Sequence, residues 1–370
     1  MAGLSETPSA ERIRIAFFGL RNAGKSTLVN AFTGQDVAIV SDTPGTTTDP
    51  VSKSMEILPL GPCTVIDTAG IDDDDGELGR LRVEKTLRVL ETADVAVWVK
   101  AEGDDGPRRR TEEACRARNV VFLEYARGDS VAGLKDRIAS LKIDEPPGLL
   151  DGLAGAGDSV VCVCPIDESA PKGRLILPQV QTIRACLDAG IACSVCRPDS
   201  LSGVLASVPD PSRCLVVTDS QAAAAVKKTV DEFAASGAVR PRVTGFSILF
   251  ARRSGCYEAF EEGLAAAERL KDGDTVLVSE GCTHHRQCND IGTVKIPAAI
   301  RKISGANDLR FVFSSGGGFP LDSHPEVRLV VHCGGCMLSR REMMRRVALC
   351  RAAGVPVVNY GICLFAAAAL

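Results

Sequence analysis

One octapeptide constrains the fold of this chain more than any other feature. Residues 19–26 have the sequence GLRNAGKS and fit the pattern G-x-x-x-x-G-K-[ST]. The apolar run at residues 13–18 predicts a β-strand directly before it, and residues 26–32 predict a helix that Gly34 closes. A strand, a glycine-rich loop and a helix in this order predict a P-loop, which opens an α/β domain with a parallel sheet.

The residue types of this loop suit phosphate binding. Gly19 and Gly24 let backbone N–H groups turn toward phosphate oxygens, and the helix N-terminus adds positive potential. Lys25 is predicted to reach the β- and γ-phosphates, and the Ser26 hydroxyl to bind magnesium. The predicted nucleotide-binding residues of this segment also include Asn22, Ala23 and Thr27.

Two further segments supply the remaining parts of such a site. Asp67 opens a D-x-x-G sequence after a short apolar strand, where its carboxylate can hold magnesium through water. The N–H group of Gly70 can then meet the γ-phosphate. Residues 44–49 (PGTTTD) lie between the P-loop and Asp67, where a switch loop is expected. We predict that Thr47, or else Thr46, offers its hydroxyl to the metal.

These motifs resemble the TrmE-Era branch of translation-factor-type GTPases. The resemblance implies that GTP is the nucleotide and that Asn22 holds a potassium ion beside the phosphates. Some other GTPases carry, directly after D-x-x-G, a glutamine that positions the attacking water. Ile71 stands at that place here, so no catalytic residue is assigned.

The chain departs from this branch where guanine should be recognised. The branch uses N-K-x-D, which does not occur in this sequence. Residues 120–123 predict a strand, and residues 124–130 lead straight into a predicted helix at 131–141, so about one strand and one helix are missing. Asp129 is a poor substitute for the base-binding aspartate. Either base selectivity is lost or the gene model is incomplete, and GTP hydrolysis is left open.

A second set of motifs predicts a metal site in the last third of the chain. All four histidines fall within residues 284–332, and 15 cysteines without a secretory signal do not predict a disulfide framework. Cys282-x-His284 follows one predicted strand, and His332-Cys333-x-x-Cys336 follows another. The carboxyl ends of parallel strands meet at one edge of a sheet, so these segments can converge.

The ligand types are compatible with two metal centres. Three thiolates and a variable fourth position suit a 4Fe-4S cluster, whereas a set of three cysteines and one histidine also suits structural zinc. The chain has a single C-x-x-C here, with two glycines inside it that leave room for a bulky cluster. The fourth ligand is either His284 or His332, between which the sequence does not decide.

Strand and helix patterns alternate along the whole chain, and the apolar residues 243–250 are among the predicted strands. Residues 146–148 (PPG) and the glycine-rich residues 152–157 predict a first boundary, and Gly273 a second. We predict an α/β fold with three domains, each with a mainly parallel sheet and flanking helices. Their predicted bounds are residues 1–148 for the P-loop GTPase domain, 149–272 for the middle domain and 273–370 for the last.

Composition excludes several classes of protein. Hydrophobic residues make up 45% and charged residues 24%, as in globular proteins with buried cores. A net charge of −4 and 4% aromatic residues argue against a dedicated nucleic-acid binder. No apolar run reaches the about 20 residues of a membrane helix, so we expect no membrane partner. The N-terminal residues 1–12 resemble neither a signal nor a transit peptide.

Taken together, the motifs resemble the FeFe-hydrogenase maturation GTPase family HydF over almost the whole chain. Besides the P-loop, the D-x-x-G sequence and the histidine–cysteine segments, the resemblance includes three further stretches. They are residues 170–181 (APKGRLILPQVQ), 217–221 (VTDSQ) and 332–343 (HCGGCMLSRREM).

The resemblance implies a scaffold and carrier that forms homodimers through its middle domain. It implies that Cys282, Cys333 and Cys336 bind a 4Fe-4S cluster and that the protein receives a transient diiron precursor assembled with the radical-SAM maturases HydE and HydG. The precursor would be delivered to apo FeFe-hydrogenase, under regulation by GTP. The expected compartment is the cytoplasm in a bacterium and a hydrogen-producing organelle in a eukaryote.

Two other functions share parts of this pattern. A TrmE- or Era-like GTPase of tRNA modification or ribosome assembly would have the same P-loop and switch. A zinc-stabilised regulatory GTPase would use the same cysteines without iron.

Overall fold

The computed structural model confirms the predicted α/β fold class, with three mainly parallel sheets and an N-terminal P-loop domain. The chain forms two compact units, Met1–Glu145 with Ser339–Glu342, and Pro146–Leu338 with Met343–Leu370. The boundary at 272/273 lies inside the second unit and stays a prediction. The structure describes residues 12–34, 51–71, 76–143, 146–166, 175–281, 290–316, 319–334 and 338–369.

The first unit contains a five-stranded sheet in the order β2-β3-β1-β4-β5. Its strands are β1 (Ile13–Gly19), β2 (Val51–Ile57), β3 (Gly61–Asp67), β4 (Val95–Val99) and β5 (Val121–Tyr125). Its helices are α1 (Lys25–Thr33), α2 (Gly76–Thr92), α3 (Asp105–Ala117) and α4 (Val131–Ala139). All of β4 is buried because a central parallel strand is covered by helices on both faces, which explains its continuous apolar sequence.

The second unit contains two four-stranded sheets, both entirely parallel, in the orders β7-β6-β8-β9 and β11-β10-β12-β13. The strands of the first are β6 (Ser159–Val163), β7 (Ala192–Cys196), β8 (Cys214–Thr218) and β9 (Arg242–Gly245). Its helices are α5 (Leu177–Asp188), α6 (Leu201–Ser207), α7 (Ala223–Ala235) and α8 (Phe246–Ser254).

The strands of the other sheet are β10 (Thr275–Ser279), β11 (Arg310–Ser314), β12 (Val327–His332) and β13 (Val357–Asn359). The remaining helices are α9 (Tyr257–Ala267), α10 (Ile296–Ser304), α11 (Arg340–Ala352) and α12 (Tyr360–Ala369). The chain passes from β10 outward to β11 and then back across to β12 on the other side of β10. This reversal places a topological switch point, where α/β sheets bind ligands, between the carboxyl ends of β10 and β12.

One detail of the strand prediction was wrong. Residues 243–250 were predicted as a strand, but only β9 is extended, and α8 begins at Phe246. Phe246 and Leu249 are both buried, which is the i, i+3 spacing of a helix that a short apolar run does not reveal. The five-stranded sheet is mainly parallel, as predicted; β2 pairs antiparallel with β3, to which the short connection at residues 58–60 joins it.

Within the described ranges, no helix combines the length and the apolar character needed to cross a lipid bilayer.

Candidate nucleotide and cluster sites

The P-loop joins β1 to α1, and its backbone conformation requires glycine or asparagine at several positions. Gly24 precedes α1 in a left-handed conformation with φ 90°, and Asn22 has φ 61°, which asparagine tolerates better than most residues. A Cβ atom on Gly19 would lie 2.8 Å from the carbonyl oxygen of Val99, so only glycine fits there. Ala23 donates its N–H to the Leu20 carbonyl at 3.2 Å, which closes the turn.

Lys25 lies at the start of α1 with its ammonium group inside this loop. The side chain is 7% exposed. Its Nζ donates to the carbonyl oxygens of Leu20 at 2.7 Å and of Gly19 at 3.3 Å. The positive charge is therefore held beside the backbone turn that the sequence predicts to surround phosphate. Thr27 is exposed on the first turn of the same helix.

Ser26 and Asp67 meet although 41 residues separate them. The Ser26 hydroxyl donates to Oδ2 of Asp67 at 2.6 Å. Asp67 is 1% exposed, and its Oδ1 has no hydrogen-bond partner among the described residues. A buried carboxylate oxygen beside a serine hydroxyl fits a hydrated magnesium ion, whose ligands are oxygen atoms. Burial raises the pKa of Asp67, which the Ser26 hydrogen bond and the charges of Lys25 and Lys53 partly oppose.

The D-x-x-G segment lies directly against the P-loop. A Cβ atom on Gly70 would lie 2.8 Å from the amide nitrogen of Arg21 and 2.9 Å from its Cα, both backbone atoms that cannot rotate away. Ile71 donates its N–H to the Gly19 carbonyl at 3.2 Å. The Thr68 hydroxyl donates to the Phe17 carbonyl at 2.7 Å in the buried interior. These contacts bring Gly70 to the P-loop, as its predicted role requires.

Replacing Asp67 with asparagine is expected to separate folding from metal binding. The folded-state pKa is raised above the unfolded one, so this group stabilises the fold below the unfolded pKa, and that stabilisation is lost as pH rises through the folded pKa. At neutral pH, Asp67→Asn should therefore stabilise the nucleotide-free protein. The free energy of unfolding should rise by about 1 kcal/mol, which corresponds to a melting temperature higher by about 2–4 °C. The substitution should also abolish the effect of magnesium on GTP affinity.

Thermal unfolding and GTP titration with and without magnesium test this expectation. Asp129→Asn, an exposed aspartate of the same unit, is the matched control and should change neither quantity. A normal magnesium response in Asp67→Asn would contradict the assignment.

No strand lies between Tyr125 at the end of β5 and Val131 at the start of α4, all of which the structure describes. The Asp129 carboxylate instead accepts the Ala126 N–H at 2.7 Å within its own turn. The Ser130 hydroxyl caps α4 by accepting the Gly133 N–H at 3.1 Å. The base-recognition segment is therefore replaced by a tight turn, and Asp129 serves that turn.

The described residues that flank the predicted metal ligands, Gly281 and Cys333, lie at the switch point of the last sheet. Gly281, the residue before Cys282, donates its N–H to the sulfur of Cys333 at 3.1 Å. Cys333 in turn donates its N–H to the Ser279 carbonyl at 2.9 Å. These bonds join the chain just after β10 to the chain just after β12. Backbone N–H groups that donate to cysteine sulfur are typical of iron–sulfur sites, so the described contact of Gly281 with Cys333 fits such a cluster.

His332 ends β12 and is 1% exposed. Its Nδ1 lies 2.8 Å from the carbonyl oxygen of Cys333, and its Nε2 lies 2.9 Å from Nη1 of Arg346. Arg346 is also 1% exposed.

Several predicted site residues lie outside the described residues. They are Thr46, Thr47, Cys282, His284 and Cys336. Among the residues that the structure does describe, no three His, Cys, Asp or Glu side chains are grouped as a metal site.

Arg346 is a residue of this site that the sequence motifs do not include. The buried face of α11 begins at Met343 and continues three, four and seven residues later, at Arg346, Val347 and Cys350. An arginine inside an apolar helical stripe must be paired in the interior, and this pattern was the available signal.

Three family models match the chain. Residues 149–255 match the hydrogen maturase F dimerization domain, and residues 258–370 match the hydrogen maturase F tetramerization domain. Residues 14–124 match the 50S ribosome-binding GTPase family.

Among curated relatives, the tRNA modification GTPase MnmE of Synechococcus sp. (strain JA-3-3Ab) is 46% identical over 87 residues, 24% of this chain and 19% of that protein. MnmE of Methylorubrum populi is 39% identical over 170 residues, 43% of this chain and 38% of that protein. The chain thus spans much less than half of these relatives. Among solved structures, a crystal structure of an Aquifex aeolicus Era variant bound to GDP and AlF4⁻ is 16% identical in sequence. The match covers 82% of this chain and 93% of that chain. Its TM-score of 0.25 is too low to bear on function.

Proposed function

The chain belongs to the hydrogen maturase F family, and from this premise we propose that it is a GTP-binding carrier in FeFe-hydrogenase maturation. It would bind a 4Fe-4S cluster, receive a diiron precursor as cargo and deliver it to apo-hydrogenase. The observation that carries the proposal is the hydrogen bond from Gly281 N–H to the Cys333 sulfur, within the last of the matched domains. It supports convergence of two cysteine segments that are far apart in sequence.

The nucleotide would be held in the first unit. Lys25 and the P-loop amides would bind the β- and γ-phosphates, and Ser26 and Asp67 would hold magnesium, with Thr47 or Thr46 completing its shell. Gly70 would contact the γ-phosphate. The Oδ1 atom of Asp67, which has no hydrogen-bond partner in the described part of the chain, supports this part of the proposal.

Potassium would bind beside the phosphates through Asn22, whose left-handed backbone places it at the exposed outer turn of the loop. We expect faster GTP hydrolysis in potassium than in sodium, and the same rate in both salts for Asn22→Ala. Hydrolysis assays in matched salts test this. Equal rates for the unaltered protein in potassium and sodium would remove the potassium site from the proposal.

Cys282, Cys333 and Cys336 would hold the cluster. With three protein thiolates, a 4Fe-4S cluster keeps one iron that can exchange its ligand, which is the chemistry needed for attaching and releasing a cargo. The Gly281 amide would lower the charge density on the Cys333 sulfur through its hydrogen bond.

The matched domains support self-association, since their descriptions are dimerization and tetramerization domains. We propose a homodimer through the middle domain. The radical-SAM maturases HydE and HydG and apo FeFe-hydrogenase are the proposed partners.

Replacing Cys333 with alanine tests the carrier function. After anaerobic purification and reconstitution, the unaltered protein is expected to hold about four iron and four sulfide per chain and to give an EPR signal on reduction. Cys333→Ala should lose most of both, because one thiolate ligand and its hydrogen bond are removed. Metal analysis and EPR measure these quantities.

Cys350→Ala is the matched control, since Cys350 is a fully buried thiol on α11 of the same unit. It should retain the iron. Stoichiometric zinc without iron in the unaltered protein would overturn the carrier proposal and support a zinc-stabilised GTPase.

A further inference from the structure

His332 lies between two hydrogen-bond partners, one of which can only accept and the other only donate. The carbonyl oxygen of Cys333, 2.8 Å from Nδ1, can only accept a hydrogen bond. The guanidinium group of Arg346, 2.9 Å from Nε2, can only donate one. Both bonds form together only when the imidazole is neutral, with its proton on Nδ1 and its lone pair on Nε2. The tautomer therefore follows from the partners.

Arg346 also contacts Gly316 and Phe319 among the described residues. Its Nη2 donates to the Gly316 carbonyl at 3.2 Å, and its guanidinium lies 5.2 Å from the ring centre of Phe319. The Phe319 ring is also 6.2 Å from the imidazole of His332. Since both His332 and Arg346 are 1% exposed, water has little access to replace these bonds.

We infer that Arg346 is a positioning residue for His332. Its hydrogen bond to Nε2 keeps the Nδ1 proton bonded to the carbonyl of Cys333 and keeps the imidazole from binding iron. This inference rests on the proposed function. Iron would need the lone pair on Nε2, which accepts the Arg346 N–H. Ligation by His332 would thus break the buried hydrogen bond from Arg346, which is unfavourable.

The second hydrogen bond of His332 gives the pair its positioning role. The Nδ1 proton binds the peptide carbonyl of Cys333, at the start of the loop that leads to Cys336. Arg346 on α11 therefore orients, through His332 on β12, the backbone of Cys333, one of the proposed cluster ligands. Ligands of metal centres are commonly oriented by such outer hydrogen bonds.

The tautomer can be tested in cluster-free protein by NMR with ¹⁵N-labelled histidine. The chain has four histidines, so its imidazole signals can be assigned by substitution. The signal that disappears in His332→Gln is expected to show a protonated Nδ1 and an unprotonated Nε2. Arg346→Lys, which keeps a donor, should retain this pattern, whereas Arg346→Met should lose it. A protonated Nε2 in the unaltered protein, or an unchanged pattern in Arg346→Met, would overturn the inference.

The consequence for iron can be tested by pulsed EPR of the reduced, cluster-loaded protein. Nitrogen couplings are expected to be the same in the unaltered protein, in His332→Gln and in the surface control His324→Gln. Arg346→Met should gain a strong nitrogen coupling that Arg346→Met/His332→Gln lacks. A strong coupling in the unaltered protein that His332→Gln abolishes would overturn the inference.

Failure of the inference and failure of the proposed function give different results. Iron and sulfide analysis of the unaltered protein decides whether a cluster is bound at all. The NMR comparison needs no cluster, so it decides the role of Arg346 even if Arg346→Met does not load iron. If Arg346→Met does not fold, the unaltered protein, His332→Gln and Arg346→Lys still decide the tautomer and the ligand.

Discussion

Replacing Lys25 with methionine is expected to weaken GTP binding by about 10²- to 10³-fold. The Lys25 ammonium is buried beside the P-loop amides and hydrogen-bonds to the carbonyls of Gly19 and Leu20. On nucleotide binding it would exchange these for phosphate oxygens, and charge-assisted hydrogen bonds contribute about 1.5–3 kcal/mol each. Methionine keeps the length of the side chain but removes the charge and every donor. Two such bonds account for the expected change.

Isothermal titration of nucleotide-free protein with GTP and magnesium measures this effect. Lys100→Met is the matched control, because Lys100 follows β4 of the same sheet with a side chain that is 45% exposed and paired to Glu124. Its affinity for GTP should stay within about twofold of the unaltered protein, as expected for an exposed ion pair. A loss smaller than about fivefold in Lys25→Met would show that the P-loop lysine does not bind phosphate here.

Replacing Gly263 with alanine is expected to destabilise the second unit by about 3 kcal/mol. Gly263 lies in α9, where the helix backbone packs directly on β13. An added Cβ would overlap the carbonyl group of Val357 and lie 2.8 Å from the amide nitrogen of Val358. These are backbone atoms of a buried strand, so no rotamer change relieves the overlap and the helix must move outward. The melting temperature should fall by about 6–12 °C.

Differential scanning calorimetry checks the size and sign of this effect. Gly203→Ala is the matched control, since Gly203 is an exposed glycine of α6 in the same unit with no atom within 4 Å of a new Cβ. Alanine should stabilise that helix by about 0.5–1 kcal/mol. If both variants raise the melting temperature, the close packing of α9 on β13 is wrong.

The nucleotide site could be predicted from the sequence to a large extent because its parts are local. A P-loop consists of one strand, one turn and one helix, and its phosphate-binding residues all lie within the contiguous residues 19–26. The Ser26–Asp67 contact was predictable because parallel β1 and β3 end side by side. The need for glycine at position 70 was not predictable from the sequence. It arises because the backbone of Arg21, in another segment, packs directly against Gly70.

For the proposed cluster site, the sequence predicted which segments converge but not the contacts that join them. The cysteine and histidine spacing indicated convergence, but the pairing of β10 with β12 and the hydrogen bond from Gly281 to Cys333 depend on strand order. The sequence also left His332 as one of two candidate fourth ligands. Its hydrogen-bond partner Arg346 is 14 residues away on a helix, so only packing shows that both ring nitrogens are used.

The sequence by itself determined the α/β class, the P-loop and the absence of N-K-x-D, because these follow from short patterns of residue type and spacing. The tertiary structure alone decided three further features. The Asp67 carboxylate is buried, with one oxygen that no described residue pairs; α9 needs glycine against β13; and Arg346 binds His332. Each of these depends on atoms brought together by folding from distant segments, and the distances between such atoms are not encoded in any local pattern.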